Sequence, residues 1–216
     1  MYEKVVQCIY EKKIIAIVRG MEECVMLPLA EALLAGGVCM MEVTFNQNKP
    51  ETFEATAKSI TVLQETFGNQ LLVGAGTVVT LTQLELARNA GALYIVSPNT
   101  DTDIIKNTHS LGLVSLPGAM TPSECLVAHN AGADFIKIFP ASDLGSNYLK
   151  AIMAPLNHIN FLAVGGVNEK NAAEFIKAGA SGLGVGGNLV NKEWIAAGHF
   201  DRITQSARDL VRAVLV

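Results

Sequence analysis

Two charged residues sit where charge is least expected. Lys137 lies inside FIKIFP at 135–140, with large apolar residues on both sides, and Glu42 is the one charged residue of MMEVT at 40–44. A lysine in such company is either an edge-strand side chain that snorkels outward or a desolvated amine. Desolvation disfavours the ammonium form, so the second reading gives a nucleophile near neutral pH, suited to forming a Schiff base with a carbonyl compound. Glu42 is either a structurally paired buried carboxylate, with Arg19 as the obvious partner, or a general acid/base whose affinity for protons is set by burial. A lysine and a carboxylate without metal ligands suffice for iminium and enamine chemistry. Such chemistry makes or breaks a carbon–carbon bond beta to a carbonyl.

Both residues need elements that hold them. Short β-like runs alternate with helix-like segments along the whole chain. Strands are expected at 14–19, 40–44, 71–74, 94–97, 113–116, 135–139, 161–164 and 182–185. Helices are expected at 24–35, 50–66, 80–90, 101–111, 122–131, 148–156, 169–178, 193–197 and 200–214. An Ala-Gly pair recurs near helix ends, at Gly36, Gly91, Gly132 and Gly179. Glycine there can adopt the left-handed conformation that ends a helix. About eight β–α units with uniformly apolar strands predict a single domain over residues 1–216, an α/β parallel (β/α)8 TIM barrel. The rival is an open doubly wound sheet, which usually carries GxGxxG after its first strand. Here that strand ends Val18-Arg19-Gly20-Met21, and the barrel is preferred.

A barrel of this kind builds its site at the carboxyl ends of its strands. The first strand delivers Arg19 there, the second Glu42 and, just beyond, Asn46. The third supplies Gly74-Ala75-Gly76-Thr77, where glycines would let a substrate approach the backbone and Thr77 would donate from its hydroxyl. Pro98 follows the fourth strand, and the sixth brings Lys137. Gly165-Gly166 after the seventh strand and Gly186-Gly187-Asn188 after the eighth suit phosphate held by backbone N–H groups, though glycine there is also ordinary turn chemistry.

Composition narrows the partners. Only 17% of the 216 residues are charged and 50% are hydrophobic, against roughly 25% charged in an average domain. The mean hydropathy is +0.33 and the isoelectric point near 5.6. A net charge of −4 argues against nucleic acid and anionic membranes as partners. No apolar run approaches the roughly 20 residues of a membrane span, and no signal-peptide core opens the chain. The cysteines at 8, 24, 39 and 125 lack CxxC spacing and read as buried free thiols in a reducing cytoplasm. The four histidines never pair at ligand spacing, so no metal is expected. The apolar surplus must then be core, or surface buried between subunits.

Taken in order, MEVT at 41–44, VGAGTV at 73–78, SPN at 97–99, Pro117-Gly118, IKIFPA at 136–141 and VGGV at 164–167 resemble one family across nearly the whole chain. It is the class I aldolases of 2-keto-3-deoxy-6-phosphogluconate (KDPG) and 4-hydroxy-2-oxoglutarate (KHG). The resemblance implies Lys137 as Schiff-base lysine, Glu42 as general acid/base, Thr77 as a contact to the pyruvate moiety and Arg19 as an anion contact. It implies no cofactor and a homotrimer. Many gluconate-type members carry arginine where this chain has Asn46, and serine where it has Asn188. Asn46, with Arg19 and FLAVGG at 161–166, also resembles the 6-phosphogalactonate branch. The expected reaction is cleavage of KDPG, or of its galactonate epimer, to pyruvate and glyceraldehyde 3-phosphate, with KHG, cleaved to pyruvate and glyoxylate, as a further candidate substrate. Two other functions stay open, a phosphosugar isomerase or epimerase and a non-catalytic sugar-acid-binding barrel.

Overall fold

The computed structural model describes residues 1–215. Its strands are β1 (Ile14–Arg19), β2 (Met40–Thr44), β3 (Leu72–Gly76), β4 (Tyr94–Val96), β5 (Val114–Leu116), β6 (Gly118–Ala119), β7 (Ile136–Ile138), β8 (Phe161–Val164) and β9 (Gly182–Val185). All pair in parallel, in the order β5-β4-β3-β2-β1-β9-β8-β7-β6. The two ends of that order are one stretch of chain, because only Pro117 separates β5 from β6. The nine strands therefore act as eight staves of a nearly closed barrel. Proline offers no N–H to the ladder. Its carbonyl still accepts from the backbone N–H of Lys137 at 2.9 Å, and Ser115 accepts from Asp134 at 3.1 Å.

Alternation along the strands divides the core into two layers. Ile15, Met40, Leu72, Tyr94, Val114, Leu116 and Leu162 pack inside the barrel. Ile14, Ala16, Met41, Val43, Val73, Ile136, Ile138 and Leu183 pack outward against the helices. Burial on both faces explains why the strands read as continuous apolar runs. The turn glycines Gly37, Gly91, Gly132 and Gly179 have φ between 88° and 112°, as the Ala-Gly repeat led one to expect; Gly36 itself stays right-handed.

The structure departs from the sequence reading in several places. A helix at Tyr2–Lys12, unassigned above, inserts Val5 and Ile9 into the interior cluster and plugs the amino-terminal end of the barrel. Strand β3 runs on to Gly76 rather than ending at 74. The helix expected over 169–178 is only Ala172–Lys177. Asn168 and Asn171 satisfy their own backbone ahead of it, with the N–H of Asn168 donating to Asn171 Oδ1 at 2.8 Å. Of the thiols expected to be buried, only Cys125 is; Cys8 and Cys39 are half-buried and Cys24 is exposed. Among the described residues no helix is long and apolar enough to cross a membrane.

Candidate active site

Strand parity aims the two chemical side chains inward. Ile136 and Ile138 belong to the outer layer, so Lys137 between them faces the barrel axis, beside Gly118 on β6 and Leu162 on β8. Met41 and Val43 likewise point outward and leave Glu42 inside, opposite Ile17 on β1 and Gly74 on β3. Lys137 is 7% exposed and Glu42 4%. They line one cavity of about 700 Å³ at the carboxyl ends of the strands.

Glycine makes the room for them, though not in the way the sequence suggested. A Cβ on Gly76 would lie 2.8 Å from Glu42 Oε1 and 2.8 Å from Thr44 Cγ2. A Cβ on Gly74 would lie 2.3 Å from the Tyr94 ring. The space above these glycines is taken by a carboxylate and a tyrosine of the protein itself rather than left for substrate.

Burial moves the two groups toward each other in proton affinity. Desolvation raises the Glu42 carboxyl from its ordinary 4.5 to about 7, against the opposing pull of Lys137 and Arg19. It lowers the Lys137 ammonium from 10.5 to about 8, partly offset by Glu42 and assisted by Arg19. The Lys137 Nζ also sits 5.2 Å from the centre of the Phe139 ring. The ion pairs among the described residues, Lys58–Glu23 and Arg212–Asp209, are both at the surface. Lys137 and Glu42 are thus neighbours in one cavity without a direct ion pair locking the amine.

Gly74, Ala75 and Gly76 do not line this cavity; of the other residues nominated from sequence, all but Asn46 do. Arg19, Thr77, Pro98, Gly165, Gly166, Gly186, Gly187 and Asn188 join Lys137 and Glu42 around it. Asn46 faces a neighbouring cleft of about 580 Å³ with Lys49 and Ser59. Its Oδ1 accepts from the N–H of Asn48 at 3.1 Å, a local turn that occupies the side chain. Sequence reasoning missed Phe139 and Lys192. Lys192 borders both spaces, and with Arg19 and Lys137 it gives the cavity three cationic side chains to one carboxylate. Nothing in its local sequence, the first turn of a short helix capped by Asn191, marks it out.

Two loops frame the far end. Gly165 and Gly166 have φ of 98° and 72°. A Cβ on Gly166 would meet that of Ser142 at 2.3 Å. Asn188 Nδ2 donates to the Val167 carbonyl at 2.9 Å, stitching the loop after β9 to the loop after β8. The backbone N–H groups of Gly166, Gly187 and Asn188 have no backbone partner among the described residues. They form an open donor set of the kind that holds an anion.

Thr77 is the strained residue of the site. Its φ of 57° is rare for a β-branched side chain, and such a conformation costs about 1–3 kcal/mol unless its surroundings over-determine it. Gln47 Nε2 donates to the Thr77 carbonyl at 2.8 Å. Gln83 Nε2 donates to Gln47 Oε1 at 3.0 Å, and Gln83 Oε1 accepts from the N–H of Val79 at 2.8 Å. Gln83 is fully buried, so this relay ties the strained turn to the helix Leu81–Asn89.

The profile of the family described as KDPG and KHG aldolase matches residues 5–206. Among curated relatives, the 2-dehydro-3-deoxy-6-phosphogalactonate aldolase of Escherichia coli K12 is 34% identical over 201 residues, covering 93% of each chain. The KHG/KDPG aldolase of the same organism is 33% identical over 200 residues, covering 91% of this chain and 89% of its own. Among solved structures, the KDPG aldolase of Legionella pneumophila, with pyruvate captured as a covalent carbinolamine, superposes with a TM-score of 0.85. It is 29% identical, over 96% of this chain and 97% of that one.

Proposed function

The chain belongs to the KDPG and KHG aldolase family and is a carbon–carbon lyase; we propose that it works as a class I aldolase with Lys137 as Schiff-base nucleophile and Glu42 as general acid/base. One observation carries this reading. A desolvated lysine and a desolvated carboxyl share a cavity without a mutual ion pair, with proton affinities drawn to within about a unit of each other.

The substrate proposed is KDPG. Lys137 Nζ adds to the C2 ketone and gives a carbinolamine, whose hydroxyl leaves as water with a proton supplied by Glu42. The resulting iminium is the electron sink. Glu42, now a carboxylate, takes the proton of the C4 hydroxyl; the C3–C4 bond breaks, and its electrons pass to the iminium. Glyceraldehyde 3-phosphate leaves, the enamine is reprotonated at C3, and hydrolysis frees pyruvate and the amine. Arg19 and Thr77 orient the carboxylate end, Pro98 walls the same side, and the glycine N–H groups with Asn188 frame the phosphate end. A second reading, the C4-epimeric galactonate substrate, is supported by Asn46 standing where many gluconate-type members carry arginine and by the 34% identity to the galactonate-type relative.

Reduction with borohydride in the presence of pyruvate should add a stable mass to Lys137, and its absence would sink both the mechanism and the aldolase reading. An isomerase or a non-catalytic binder forms no such adduct. Pyruvate release from the two C4 epimers, measured side by side, decides the stereochemistry.

A homotrimer is part of the same proposal. Met120, Leu126 and Val127 are exposed large apolar residues on β6's exit and the helix Pro122–Asn130, a patch suited to subunit contact. Light scattering should return three times the 23.0 kDa of one chain. A cytoplasmic setting is supported by four unpaired thiols.

A further inference from the structure

The amino-terminal plug carries a feature the aldolase reaction does not use. Cys8 lies on the helix Tyr2–Lys12 and Cys39 immediately before β2, so both sit at the end of the barrel opposite the cavity. Their Sγ atoms are 3.5 Å apart, although 31 positions separate them in sequence. Both are half-buried, at the edge of the interior cluster where Val5 and Ile9 enter the barrel. Cys24 and Cys125 have no thiol neighbour.

We propose that Cys8 and Cys39 form an oxidation site, which a hydroperoxide converts to a disulfide that pins the plug helix to the barrel. Cys39 is assigned as the attacking thiolate: its sulfur lies within hydrogen-bond reach of Cys8 at 3.5 Å, and that contact with the nearby Lys12 and Lys4 ammonium groups lowers its proton affinity against the cost of burial. The Cys8 thiol moves the opposite way, through the same contact and its own burial. The Cys39 sulfur attacks the terminal oxygen of the peroxide, the O–O bond breaks, and the leaving oxygen takes a proton. This leaves Cys39 as sulfenic acid. Cys8 then attacks that sulfur, the S–O bond breaks, and hydroxide leaves as water with the Cys8 proton. Two electrons pass from the two thiols to the peroxide, which is reduced to water, or to water and an alcohol.

The test is peptide mapping of the full chain after mild hydrogen peroxide, with remaining thiols alkylated. The expected product is a peptide pair joining Cys8 to Cys39, two hydrogens lighter than the separate thiols and reversed by dithiothreitol. Cys24 and Cys125 should remain alkylated. In Cys8→Ser, sulfenic acid should accumulate at Cys39, where dimedone traps it; in Cys39→Ser, Cys8 should resist oxidation. The bridged form should melt roughly 5–10 °C higher, since it closes a long loop across the plug, with the aldol cleavage rate unchanged. Oxidation of Cys24 or Cys125 ahead of the pair, or over-oxidation of Cys39 without a bridge, overturns the site. A bridge with no change in melting overturns the pinning. Apart from the cleavage rate, these readouts require no activity, so the site stands or falls separately from the aldolase reading.

Discussion

Gly76→Ala is the most discriminating perturbation of the site, because it moves the proposed acid/base group, Glu42, without substituting it. The new methyl would stand 2.8 Å from Glu42 Oε1 and 2.9 Å from its Cδ, with Thr44 Cγ2 equally close on the other side. To restore ordinary van der Waals separation the carboxyl must retreat by about 0.6 Å, inside a close-packed barrel that resists such shifts. Misplacement by about 1 Å costs on the order of 100-fold in rate, so about 0.6 Å should cost roughly tenfold or more in kcat. The fold should survive, since overpacking of this size costs about 1–3 kcal/mol and Gly76 does not have positive φ. Pyruvate release coupled to lactate dehydrogenase gives kcat and KM, and borohydride trapping reports the lysine separately. The expected variant is soluble, still trapped at Lys137, and slow in turnover. Gly74→Ala is its control: there the methyl meets the Tyr94 ring at 2.3 Å rather than the carboxyl. Its damage should therefore appear in melting temperature more than in kcat. A Gly76→Ala enzyme with native kcat and a native fold would refute the idea that the seat of Glu42 sets the rate.

Three other outcomes follow from the same geometry. The pH dependence of kcat/KM should be a narrow bell with its maximum near about 7.5, limited by the amine of Lys137 on the acid side and by protonated Glu42 on the alkaline side; Glu42→Gln should abolish the alkaline limb. Glu42→Gln should also change stability with a definite sign. The native carboxyl binds its proton more tightly than the unfolded one, so its contribution is fully present below pH 4.5 and lost as the pH rises through about 7. Chemical denaturation should find the variant equal to wild type near pH 4 and more stable at pH 8, by at most about 3 kcal/mol; an unchanged difference between those pH values would count against a desolvated carboxyl. Gln83→Leu should break the relay that holds Thr77, raising KM for the keto acid about tenfold while Lys137 is still trapped by borohydride; an unchanged KM would show that the strained turn holds itself.

Much of this was readable from residues alone, and for a definite reason. Burial on both faces leaves a parallel strand no polar position to spare, so Lys137 and Glu42 announced themselves against their neighbours. The βα alternation then fixed which end of the barrel they would face. What stayed hidden depends on closure of the barrel, a long-range event. The joining of two strand pairings across Pro117, the seating of Val5 and Ile9 in the floor, and the meeting of Cys8 with Cys39 all depend on contacts between elements separate in sequence. Residues beyond strand ends escaped for a different reason. Parity stops at the loop, so Asn46 turned into its own backbone while Lys192, seven positions beyond the end of β9, reached the cavity.

On the proposed mechanism, the low charge content contributes to the chemistry rather than forming its background. In water a carboxyl and an ammonium differ by about six pKa units, and a proton placed between them settles on the amine. Inside the barrel, the same desolvation acts on both with opposite sign and leaves them at about 7 and about 8. A direct salt bridge would restore the gap, and the geometry withholds one. On the proposed mechanism the amine can then be free to attack while the carboxyl still holds the proton it gives to the departing hydroxyl, at one and the same pH. The residues responsible touch no substrate: Tyr94, Leu162 and Leu116 fill the interior layer, and Val5 and Ile9 seal its floor. A polar substitution among them, remote from the reacting atoms, would let water reach the pair, separate the two proton affinities again and slow the chemistry through the core.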